Sequence, residues 1–138
     1  MIAQTTRYGF GVTLHVPYDD ATRRTREALA AEGFGVLTEI DVAATLKKKL
    51  DVDFRPYVIL GACNPPLAHR ALSAERDIGL LLPCNVIVYA GDMPGTSVVA
   101  AMDPVEALSL TGRTDIVELA TEVKARLHRA LASLEATS

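Results

Sequence analysis

Two cysteines, each followed by an asparagine and set in a proline-flanked apolar stretch, are the residues of this chain best suited to chemistry: Gly61-Ala62-Cys63-Asn64-Pro65-Pro66 and Leu82-Pro83-Cys84-Asn85. They are its only thiols. A thiol exchanges electrons or holds a soft metal once ionised, and a helix N-terminus beside it favours the thiolate through its N–H groups and dipole. The carboxamides of Asn64 and Asn85 can cap a backbone or offer a donor and an acceptor to a ligand. Cys63, Asn64, Cys84 and Asn85 are therefore the candidate ligand-binding or thiol site. A plainer reading stands beside it. Free cysteine is among the most often buried residue types, Asn64 is a good N-cap, and Pro65 and Pro66 remove two helix donors.

Metal binding has less to draw on. His69 is the nearest histidine that could join two widely spaced cysteines, but there is no close cysteine pair and a fourth ligand would be arbitrary. His15 and His128 lack partners in sequence, so no metal site is expected and no cofactor is specified. Glu39 and Asp41 could flank a cleft for acid–base work, yet Asp41 is explained more simply as a helix cap. Lys47, Lys48 and Lys49 read as the wet side of a helix before they read as a phosphate grip. Gly9-Phe10-Gly11 precedes a strand instead of joining a strand to a helix, so it is not a dinucleotide loop. With no nucleophile elbow, paired His-Glu motif or phosphate-binding loop, catalytic residues stay unassigned and enzyme status open.

The elements that must carry these residues follow from periodicity. Phe10, Val12, Leu14 and Val16 alternate with Gly9, Gly11, Thr13 and His15, which predicts a half-buried strand over Tyr8 to Val16 with His15 turned outward. Asp19 and Asp20 open a helix carrying Ala21, Thr25, Ala28 and Leu29, and Gly33 stops it. A strand over Phe34 to Ile40, an Asp41-capped helix and an apolar strand over Tyr57 to Ala62 come next. The last delivers Cys63 to the start of a helix that turns Leu67, Ala68, Ala71 and Leu72 inward. Val86 to Tyr89 and Thr96 to Met102 read as a hairpin about Gly91-Asp92-Met93-Pro94-Gly95. Asp103-Pro104 begins a short helical turn, and Ile116, Leu119, Ala120, Val123, Leu127, Leu131 and Leu134 mark a long final helix.

This order predicts an α+β fold, a two-layer sandwich of a mainly antiparallel sheet covered by helices, with a doubly wound sheet as the alternative. At 138 residues and 49% hydrophobic the chain fits a single domain, 1–138. Fourteen basic against seventeen acidic residues leave a net charge of −3, so no footprint for nucleic acid or an anionic membrane is present. The apolar stretch from Ile78 to Ala90 is too short to span a bilayer. The N-terminus lacks a secretory pattern, which predicts a cytoplasmic protein with reduced thiols.

Gly33-Phe34-Gly35-Val36 leading to Glu39-Ile40-Asp41-Val42, Thr45-Leu46-Lys47-Lys48-Lys49-Leu50, the strand ending Gly61-Ala62-Cys63-Asn64-Pro65, and Leu81-Leu82-Pro83-Cys84-Asn85-Val86 together resemble the family catalogued as domain of unknown function 302. The resemblance runs from about Tyr8 to the last helix. It implies a TATA-binding-protein-like β-α-β(4)-α arrangement, here with an extra helix after the third strand, often as a dimer. It carries no DNA binding and no established reaction. Three functions stay open: a small-ligand-binding or accessory module near Cys63 and Cys84, a thiol-based redox or soft-metal protein, and an oligomeric interaction domain. A homodimer is expected, because the sheet offers more apolar surface than the helices cover.

Overall fold

A computed structural model describes residues 2–137. Six strands form one fully antiparallel sheet: β1 (Ala3–Thr6), β2 (Gly9–Leu14), β3 (Gly35–Asp41), β4 (Tyr57–Cys63), β5 (Cys84–Ala90) and β6 (Ser97–Met102). Their spatial order is β1-β2-β6-β5-β4-β3. Five helices connect or cover them: α1 (Tyr18–Ala31), α2 (Val42–Leu50), α3 (Pro65–Ala74), α4 (Pro104–Leu108) and α5 (Thr114–Thr137). This is the expected α+β sandwich, and the antiparallel pairing throughout excludes the doubly wound alternative.

The sheet has one thoroughly buried face. Val58 opposes Val88, Leu60 opposes Val86, and Val88 in turn opposes Val99, so the three central strands present one branched apolar layer. Phe10, Val12 and Leu14 extend that layer along β2. Helices α1 and α5 lie against it with Ala21, Leu29, Ile116, Leu119, Ala120, Val123, Leu127 and Leu131 buried, the residues whose helical spacing marked them. Gly33 ends α1 with φ +86°, and the Phe34 amide donates to the Leu29 carbonyl at 2.9 Å, the backbone reversal a glycine permits. The hairpin between β5 and β6 forms as its turn residues required.

Three features differ from the sequence reading. Strand β1 is polar and wholly exposed, so no alternation announced it; backbone pairing with β2 holds it as an edge. The first apolar strand ends at Leu14, two residues short of Val16. On α3 only Leu67 and Ala71 are buried, while Leu72 is 42% exposed, because that helix packs along a narrow stripe. No helix among the described residues is long and apolar enough to cross a membrane.

Candidate functional site

The site assembles where β4 hands the chain to α3. Asn64 is extended, its Oδ1 accepts the Leu67 amide at 3.3 Å, and its carbonyl accepts the Ala68 amide at 2.9 Å. Pro65 and Pro66 occupy the first two helical positions and have no N–H to give. From Pro65 to Ala68 the opening turn of α3 therefore keeps no free backbone N–H. Of the two readings of Cys63, the local geometry favours the plainer one over exposed N–H groups beside the thiol: the cap and the prolines have used or removed them.

Cys84 begins β5 opposite Ala62, one residue before Cys63. Both thiols are free, and both line one apolar cavity of about 320 Å³. Its walls are Phe34 and Leu37 from the β3 side, Leu67, Ala71 and Leu72 from α3, and Leu82 and Pro83 from the segment leading into β5. The Leu82–Pro83 peptide is cis. Cys84 is buried, and burial first, then the neighbouring Cys63, pushes its thiol up to about 11. At neutral pH it is a protonated, soft, apolar group. Cys63 is half-buried.

The four candidate residues do not all meet. Cys63, Asn64 and Cys84 share the cavity, whereas Asn85 opposes Gly61 on the other face of the sheet and is exposed. Strand alternation made that separation readable, since Cys84 and Asn85 are adjacent. The sequence reading missed Leu37. A register shift between Val36 and Thr38 displaces it, and such a bulge leaves no pattern in sequence. It also missed why residue 61 is glycine. A Cβ there would come within 2.9 Å of Pro83 Cγ and closer still to Thr38 Oγ1, so β3 and Pro83 close over this point only above a glycine.

The remaining candidates are structural in placement. Asp41 caps α2, accepting the Ala44 amide at 2.9 Å, and Glu39 pairs with Arg26 at 2.6 Å. Lys47 reaches Asp51 and Asp53 on an exposed surface. His69 is exposed on α3. Among the described residues no cluster of three or more His, Cys, Asp or Glu is placed to hold a metal.

Asn85 belongs to a different surface. On the uncovered face Tyr57 stacks on Tyr89 with ring centroids 5.3 Å apart and planes 9° from parallel, and the Arg55 guanidinium lies 5.9 Å from the Tyr89 ring. Ile59, Ile87, Val98 and Ala100 continue the face, each half-buried.

No curated protein sequence matches the chain. Among solved structures it is similar to an uncharacterized conserved DUF302 protein from Bacillus stearothermophilus, with a TM-score of 0.84 and 30% identity over 92% of this chain and 98% of that one. The family described as domain of unknown function DUF302 matches residues 10–134, nearly the whole sheet and its helices. The chain belongs to that family.

Proposed function

We propose that the protein is a single-domain small-ligand-binding or accessory module whose site is the cavity shared by Cys63, Asn64 and Cys84. One observation carries this reading: an almost wholly apolar cavity of about 320 Å³ beside the only two thiols, within the size range of small-molecule sites. Its lining matches a small neutral, apolar ligand, with Cys84 contributing soft polarizable contact and no charge. The capped, proline-led start of α3 argues against a strongly activated Cys63, so a thiol redox role has less support than binding. Two free thiols suit the reducing cytosol.

Ligand-observed NMR with a panel of small neutral fragments tests the reading, beside native mass spectrometry of protein from its own host. Saturable binding that Ala68→Leu abolishes, because the added bulk enters the cavity, is the expected result. A folded protein that binds no fragment and carries no extra mass would sink the proposal.

The uncovered sheet face favours a second, compatible role as a homodimer interface. Tyr57, Ile59, Ile87, Tyr89 and Val98 form a contiguous apolar and aromatic layer with water on one side, a surface that two copies could bury together. Light scattering at twice the chain mass supports it. A concentration-independent monomer removes it.

A further inference from the structure

A groove of about 690 Å³ rimmed by charged side chains lies against the first turn of α3, between that helix, the end of α1 and the outer face of α5. Its floor contains an unspent group. Asn64 is only 6% exposed and its Oδ1 is taken by the Leu67 amide, but its Nδ2 donates to no described residue and reaches the groove. The residue is buried and its amide nitrogen opens only into the groove, so the donor is held in place and available to a ligand there. Beside it, Arg126 spends Nε and Nη2 on Glu122 Oε1, at 3.1 and 3.0 Å, and its Nη1 has no partner among the described residues. Gly33 keeps the space between these donors open: a Cβ there would lie 2.9 Å from Asn64 Nδ2 and 3.3 Å from Arg126 Nη1. The two donors therefore converge on one point over the end of α1.

The charges around that point have both signs. Arg70 on α3 and Glu118 on α5 line the groove, and neither forms an ion pair with a described residue. Asp115 is held by Arg113 at 2.7 Å and Glu122 by Arg126, so one cation and one carboxylate stay uncommitted. Three carboxylates and two guanidinium groups line the space together. A simple dianion would meet the carboxylates and a simple cation the arginines, whereas a molecule bearing both charges finds a partner for each. We propose that this groove binds a small zwitterion of the amino-acid type. Its carboxylate accepts from Asn64 Nδ2, Arg126 Nη1 and Arg70, and its ammonium faces Glu118. The site is separate from the apolar cavity and shares only Asn64 and Leu67 with it.

Backbone NMR of the full chain, titrated with single amino acids and separately with acetate, methylamine and inorganic phosphate, tests the proposal. The expected result is saturable shifts at the Gly33, Leu67 and Glu122 amides with at least one amino acid, with affinity at least tenfold above acetate and methylamine. Arg70→Gln, at an exposed position that leaves folding intact, should weaken that binding at least tenfold. Glu118→Gln should remove the preference for an amino acid over acetate. Ala68→Leu should leave the titration unchanged, so failure of the apolar cavity and failure of this groove are told apart. No localised shift with any amino acid, equal affinity for acetate or phosphate, or unchanged binding in both the Arg70 and Glu118 variants would overturn it.

Discussion

The two faces of the sheet are built from the same kinds of residue and do different work. On one, Leu60, Val86, Val88 and Val99 are essentially fully buried beneath α1 and α5. On the other, Ile59, Ile87, Tyr57 and Tyr89 occupy the alternate positions of the same strands and stay half-buried. An apolar residue stabilises a fold in proportion to the surface it withdraws from water, not by being apolar. The covered face should therefore carry the stability, leaving the uncovered one free to bind. The cavity with the two thiols lies at the margin between these regimes, where α3 covers the end of β4 narrowly.

The largest expected effect sharpens that contrast. Leu60→Ala should cost about 2–5 kcal/mol in chemical denaturation, the range for a buried leucine truncated in a close-packed core. Ile59→Ala, one residue along on the opposite face, should cost less than half as much. Equal losses in chain dilute enough to be monomeric would break the comparison, whereas a loss at Ile59 that grows with protein concentration would support the proposed dimer.

The next effect is a pH dependence seated on the covered side. The Cys84 thiol is raised from 9.0 to about 11, so the folded state binds its proton more tightly than the unfolded chain does. Its full contribution is present below pH 9 and is lost as pH rises towards 11, amounting to roughly 3 kcal/mol at the upper end. Cys84→Ala should flatten the decline between pH 9 and 11 in denaturation curves. An unchanged slope would mean that water reaches the thiol.

A smaller loss is expected at the margin. Asn64→Ala removes the cap of α3 and should cost about 1 kcal/mol, whereas Asn64→Asp, which keeps an acceptor for the Leu67 amide, should cost less. If the two cost the same, capping is not what residue 64 contributes. The smallest stability effect belongs to Ile87→Lys on the uncovered face, within about 0.5 kcal/mol for the dilute chain. Its reading is in mass: light scattering should show this variant as a monomer while the parent shows the proposed dimer, and a variant that stays dimeric would move the interface elsewhere.

Much of this architecture was written in local patterns. The alternation of Phe10, Val12 and Leu14, the helical spacing from Ile116 to Leu134, the glycine stop at Gly33 and the caps at Asp41 and Asn64 are short-range effects, and each appears where those patterns placed it. Strand β1 escaped because an edge held by backbone pairing needs no side-chain pattern. The candidate site was half legible. Asparagine and the two prolines after Cys63 marked both a strand passing into a helix and the loss of its free donors, but they could not say that Cys84 would meet Cys63 across one cavity.

By itself, the sequence determined most of the segments that become strands and helices, the exposed edge β1 excepted, because propensity, capping and periodicity act within a few residues. Only the tertiary structure decided that Cys84 opposes Ala62 and shares a cavity with Cys63, that Asn85 faces away, and that Gly33, Asn64 and Arg126 converge. Those meetings depend on strand register, on the bulge beside Leu37 and on the seating of α5 against α3. Register and helix seating are settled by the packing of the whole core, to which residues far apart in the chain contribute at once.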